Sequence, residues 1–116
     1  MGRLSTHVLD TARGAPAAGM RIDLLRGSGA SSRELLSIAT NRDGRTEGPL
    51  LQGEALEAGT YQLLFHVGAY FRDHDHPDAG RFLEIVPVAF VVDDPQGSYH
   101  VPLLVSPWSY TTYRGS

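Results

Sequence analysis

The sequence predicts an all-β fold, a β-sandwich or barrel, from three features. Turn signals recur about every ten residues, which is the spacing of short sequential strands. The segments between them are short, apolar and often β-branched or aromatic. Where polar residues intervene, as in Met20-Arg21-Ile22-Asp23-Leu24, apolar and polar positions alternate with the period of two that half-buries a strand. The 116 residues make a single domain over residues 1–116.

Taken in order, Leu4 to Asp10 forms the first strand, closed by the loop Arg13-Gly14-Ala15-Pro16. Met20 to Arg26 is the second, broken by Gly27-Ser28-Gly29, and Arg33 to Thr40 the third. Asn41-Arg42-Asp43-Gly44 is a turn in which Gly44 supplies a positive φ, so Arg45 emerges at its lip. Leu50 to Glu57 is an ambiguous, short irregular strand, and Thr60 to Val67 a clear one. Gly68 to His76 forms the one short helix, about two turns by helical geometry, with Pro77 as its stop. Ile85 to Val92, Tyr99 to Ser106 and Trp108 to Tyr113 complete a set of about seven or eight strands.

Two late segments, Ile85 to Val92 and Tyr99 to Ser106, carry apolar residues on both faces. A small monomer cannot expose such a face without an apolar patch, so one face is expected in the core and the other in a subunit interface. Pro87 and Pro102 each remove a ladder donor and call for an edge position or a bulge.

A net charge of −3 carries no basic footprint for nucleic acid or an anionic membrane. The ten basic residues are all Arg. With no Cys there is no disulfide, thiolate metal site or Cys nucleophile. Met1 to His7 contains no apolar leader, and no apolar run reaches membrane-spanning length, so a cytoplasmic location is expected. No Gly-x-Ser-x-Gly elbow occurs, which favours direct attack by an activated water over a serine nucleophile. His74-Asp75-His76 superficially suggests a metal cluster, but two His one residue apart rarely converge without a third ligand, and a solvated loop is expected there.

Four segments in order span nearly the whole chain: Leu4-Ser5-Thr6-His7-Val8-Leu9-Asp10 with Gly14 and Pro16; Asn41-Arg42-Asp43-Gly44-Arg45; Tyr99-His100-Val101-Pro102-Leu103-Leu104; and Leu104 to Tyr113 running into Tyr113-Arg114-Gly115-Ser116. Together they resemble the transthyretin-like family, and the last tetrapeptide looks like the signature of its 5-hydroxyisourate hydrolases. The resemblance implies a transthyretin-like two-sheet β-sandwich and a homotetramer with active sites at a subunit interface. It also implies no cofactor; from the residues themselves no metal is expected. The implied reaction converts 5-hydroxyisourate to 2-oxo-4-hydroxy-4-carboxy-5-ureidoimidazoline in urate degradation.

Read alone, His7 and His100 are ordinary polar residues of strands, Arg45 a solvated turn cation and Arg114 part of a frayed end. The resemblance makes His7, Arg45 and His100 catalytic. Two imidazoles can divide the roles of accepting a proton from water and orienting that water or protonating the leaving nitrogen. A guanidinium fork suits the carbonyl-rich edge of a flat heterocycle and the oxyanion formed on it. Arg45, Tyr113, Arg114, Gly115 and Ser116 are accordingly assigned to substrate binding, with Gly115 permitting a close backbone approach. Two other readings compete: a transthyretin-like carrier of a small hydrophobic ligand, without catalysis, and a β-sandwich interaction domain with no chemistry. Two His and two Arg converging favour the enzyme, since a lipophilic channel has no use for them.

Overall fold

A computed structural model describes residues 1–115 and places two sheets face to face. Sheet A contains β1 (Arg3–Asp10), β2 (Ala15–Pro16), β5 (Leu51–Gln52), β8 (Ser98–Val105) and β9 (Tyr110–Thr112). Sheet B contains β3 (Arg21–Arg26), β4 (Arg33–Ala39), β6 (Gly59–Phe65) and β7 (Val86–Val92). Sheet A has the order β2-β1-β8-β9, and sheet B the order β4-β3-β6-β7. The long strand β1 pairs along its whole length with β8 in parallel, while β2 and β5 cap opposite ends of its other edge.

Alternation explains the core. Leu4 and Val8 of β1, with Tyr99, Val101, Leu103 and Val105 of β8, face Ile22, Leu24, Tyr61, Leu63 and Phe65 across the sandwich. Thr6 and Asp10 share the inward face of β1 and are buried only because they are bonded. Thr6 Oγ1 donates to the Val101 carbonyl at 2.7 Å. Asp10 accepts the Tyr70 hydroxyl at 2.7 Å and the amides of Ala12 and Arg13 at 3.0 Å each. Burial, and then this bond to Asp10, pushes the Tyr70 phenol up to about 12, so it stays a donor. The bond fastens helix α1 (Val67–Asp73) to the end of β1.

The all-β class, the short helix and most strands follow the sequence pattern, and the two sheets follow the resemblance, with nine strands among the described residues rather than seven or eight. The additions are β2, inside the expected first loop, and β5, the only extended part of Leu50 to Glu57. Each is two residues long and shows no period. The helix ends at Asp73, before Pro77, because Asp75 turns the chain with φ 55°. The last strand begins at Tyr110 because Ser106 and Ser109 close a turn, the Ser106 amide donating to the Ser109 carbonyl at 2.9 Å.

Pro87 lies on the edge strand β7, as its missing donor requires. Pro102 does not: β8 is interior, between β1 and β9. The β8–β9 ladder stops at Leu103 opposite Thr112 and resumes only as an isolated bridge between His100 and Gly115. The interruption coincides with Pro102, which has no amide to offer the passing chain. Instead, Thr112 Oγ1 donates to the Pro102 carbonyl at 2.7 Å.

Candidate functional site

The outward face of sheet A gathers the polar chemistry. Since Leu4, Thr6 and Val8 point into the core, Arg3, Ser5 and His7 point out from β1. On β8 the same rule turns Ser98 and His100 outward. The parallel register sets Arg3 beside Ser98 and Ser5 beside His100. Ser5 Oγ lies 2.8 Å from His100 Nδ1.

A docked turn brings Arg45 over this face. Asn41 Oδ1 accepts the Asp43 and Arg45 amides at 2.9 and 3.2 Å, and the Asn41 amide donates to the Arg45 carbonyl at 2.7 Å. Gly44, at φ 75°, lets the turn sit on β1: its carbonyl accepts the Val8 amide at 2.8 Å. His7 adds a second tie, its Nε2 donating to the Asp43 carbonyl at 3.0 Å. Because a carbonyl only accepts, Nε2 of His7 carries the hydrogen, and Nδ1 is the nitrogen with a lone pair when the ring is neutral.

The result is a cavity of about 430 Å³ lined by Arg3, Ser5, Arg45, Thr46, Ser98 and His100, among others. Its cationic character contrasts with the net negative chain. Burial, then the charges of Arg45, His7 and Arg3, hold the His100 imidazole below the ordinary histidine range, which favours the neutral form that can accept a proton. Of the expected catalytic residues, Arg45 and His100 line the cavity, and His7 adjoins it on the same face of β1. Arg3, Ser5, Thr46 and Ser98 were not anticipated. The available signal was the alternation of β1, which puts positions 3, 5 and 7 on one side.

The tail reaches the site unevenly. Gly115 pairs with His100, its amide donating to the His100 carbonyl at 2.7 Å. A Cβ at Gly115 would stand 2.7 Å from His100 Cδ2. Arg114, one residue earlier, turns away and lays its guanidinium 4.3 Å from the centre of the Tyr99 ring, donating also to the Ser98 carbonyl at 3.1 Å. Within one chain, then, Arg114 touches the backbone at the cavity's rim and does not line it. With Tyr113 it borders a second, mainly apolar groove of about 360 Å³ whose other walls include Val88, Phe90 and Val101. Ser116 lies outside the described residues.

The remaining histidines serve the framework. His66 Nε2 meets Asp23 Oδ2 at 2.7 Å, His74 Nδ1 donates to the Tyr70 carbonyl at 2.9 Å, and His76 Nδ1 accepts the Asp78 amide at 3.1 Å. Among the described residues, no group of three or more His, Cys, Asp or Glu is placed to hold a metal ion.

A two-sheet sandwich with a parallel β1–β8 pair and a His–Arg cavity on its outer face defines a class, and comparison with known proteins identifies it. Residues 4–115 match the family model described as the HIUase/Transthyretin family, and the chain belongs to that family. It is 52% identical over 117 residues to a protein of Rhizobium meliloti (strain 1021) named 5-hydroxyisourate hydrolase 2, an alignment covering 99% of this chain and 97% of that one. The crystal structure of an (S)-allantoin synthase superposes with a TM-score of 0.92 at 46% identity, covering 99% of this chain but only 44% of that one. The Klebsiella pneumoniae 5-hydroxyisourate hydrolase superposes with a TM-score of 0.81 at 32% identity, over the whole of both chains.

Proposed function

We propose that this chain hydrolyses 5-hydroxyisourate, adding one water across the bond between ring nitrogen and carbonyl in the six-membered ring. The product is 2-oxo-4-hydroxy-4-carboxy-5-ureidoimidazoline. Relatives about half identical over nearly their full length bear the name of that hydrolase, which supports the reaction. The observation that carries the mechanism is the His100 imidazole sharing one cavity with the Arg45 guanidinium, with burial and neighbouring charge favouring its neutral form.

His100 Nε2 takes a proton from the attacking water as its oxygen adds to the ring carbonyl. Arg45 supports the oxyanion that forms, then the carbon–nitrogen bond breaks and the nitrogen leaves with a proton. His7 orients the water or returns that proton. Arg3 adds a second guanidinium for an anionic, carbonyl-rich ring. Gly115 lies against the His100 ring, and Gly115 and Ser116 are assigned to substrate binding.

Tyr113 and Arg114 are also assigned to substrate binding. Their own chain holds them at the sandwich edge, so this role calls for a second copy, and we propose a homotetramer with sites at a subunit interface. The apolar outward residues of β7 support such an assembly: Val91 is 63% exposed.

The test is the ultraviolet decay of freshly prepared 5-hydroxyisourate. Purified protein is expected to speed it well beyond the spontaneous rate. Decay at the spontaneous rate would overturn the assignment.

A further inference from the structure

We propose that Ser5 is a positioning residue for His100, accepting the Nδ1–H of the imidazole so that Nε2 faces the cavity bare and ready to take a proton. The inference rests on the assignment of His100 as the base.

The contact is built into the fold. Ser5 and His100 are direct partners in the parallel β1–β8 ladder, so the hydroxyl is delivered by paired backbone rather than by a loop. Oγ and Nδ1 are 2.8 Å apart. On the other side of the ring, Cδ2 lies against Gly115, whose amide is bonded to the His100 carbonyl. Nδ1 and Cδ2 are the two ring atoms next to Cγ, so the imidazole is held on both flanks. Only its far edge, Cε1 and Nε2, remains to act, and Nε2 has no hydrogen-bond partner among the described residues.

A hydroxyl can donate or accept, so geometry alone leaves two tautomers. Charge selects between them. Arg3 and Arg45 make the cavity cationic, and a lone pair facing cations is favoured over a second N–H. The hydrogen therefore belongs on Nδ1, with Ser5 Oγ as its acceptor. When Nε2 takes the proton from water, the ring becomes an imidazolium and the Nδ1–H···Oγ bond becomes charge-assisted, hence stronger. Ser5 thus aids the step through the imidazole it holds.

The experiment compares Ser5→Ala, Ser5→Thr and His100→Ala with the wild type, all confirmed folded by thermal melting. Ser5→Ala is expected to lower kcat about tenfold, the scale of one charge-assisted hydrogen bond, with KM little changed. Ser5→Thr, which keeps the hydroxyl, restores most of that loss. Nitrogen-resolved NMR of the wild-type ring, above its titration midpoint, is expected to show His100 protonated on Nδ1 and bare on Nε2. That measurement needs no variant and stands even if Ser5→Ala folds poorly. A wild-type ring protonated on Nε2, or a folded Ser5→Ala with full kcat, overturns the role of Ser5. If His100→Ala is inert while Ser5→Ala is fully active, the base assignment survives and only the positioning role is lost. A fully active His100→Ala sinks both.

Discussion

The Gly44 carbonyl accepts the Val8 amide at 2.8 Å, and through this bond a surface turn becomes part of the outer face of sheet A. A Cβ on Gly44 would collide with the Val8 carbonyl, so the approach depends on glycine. Arg45 follows directly, its own amide held by Asn41 Oδ1, and the residue lines the cavity. Its guanidinium offers a planar fork. Arg45→Lys keeps the charge and loses the fork, and activity is expected to fall by about tenfold or more, since the two cations are not equivalent at a bidentate site. Rates equal to the wild type in a steady-state assay would mean that charge attraction alone suffices.

His7 and His100 lie on adjacent strands of the same outer face. Removing either is expected to slow hydrolysis by roughly 100-fold or more, the usual scale for positioned acid–base groups. Neither ring fills the core, so the melting temperature of His7→Ala or His100→Ala should move little. Unchanged rates in folded protein would return both residues to the surface role their strands alone suggest.

The strands that could be read from sequence were those long enough to alternate. Met20 to Arg26 declares which of its faces is buried, whereas the two-residue β2 and β5 have no period to read. The helix was legible, but its end depended on Asp75 taking a left-handed turn that Pro77 masked. Arg45 and His100 could be named from their motifs. Ser5 and Arg3 could not, because their place depends on β1 pairing in parallel with a strand some ninety residues later, and such a register is a tertiary fact. The tail illustrates the same limit. A chain running along a strand turns successive residues to opposite sides, so Gly115 beside His100 sends Arg114 over Tyr99.

The electrostatics of His100 imply a pH dependence. Burial first, then Arg45, His7 and Arg3, keep its folded-state midpoint below the ordinary 6.5. The acid limb of kcat/KM is therefore expected below that value, because the neutral base persists to lower pH. Arg45→Gln removes one of the opposing charges and should raise the His100 midpoint, read directly from its ring protons by NMR. For stability, the unfolded chain binds this proton first as pH falls, so stability declines through the window from 6.5 down to the folded midpoint and the loss is complete below it. A midpoint at or above 6.5 in the folded protein would contradict this.

The proposed assembly rests on what β7 leaves uncovered. Its inward residues Val86, Val88 and Val92 are buried, while Pro87, Ala89 and Val91 face out and Ile85 just before them is 45% exposed. Apolar faces of this kind on a small domain mark an interface, and closed dihedral symmetry is the common way for four copies to satisfy it. Sedimentation at micromolar concentration is expected to show a tetramer. A fully active monomer of 12.6 kDa would exclude any site built between subunits.

The strongest test of the site lies in the tail, where an ordinary chain end and a working one behave oppositely. Ends of domains usually fray, and changes there are usually harmless. Here the Gly115 amide is bonded to His100, and a side chain at 115 would begin 2.7 Å from the imidazole, closer than real Cβ contacts come. Gly115→Ala must push the ring or lift the tail, and Gly115→Val more so. Both are expected to lower kcat with little effect on the melting temperature, because β9 ends at Thr112 and the core lies elsewhere. Deleting Tyr113 to Ser116 should abolish hydrolysis while circular dichroism still reports a β-sandwich. An affinity tag placed after Ser116 should damage the rate far more than the same tag placed before Met1. These variants, assayed side by side with the ultraviolet decay of 5-hydroxyisourate, separate the two readings. If Gly115→Val and the deletion both keep the wild-type rate, the tail has no part in the chemistry and His100 works without the flank that Gly115 provides.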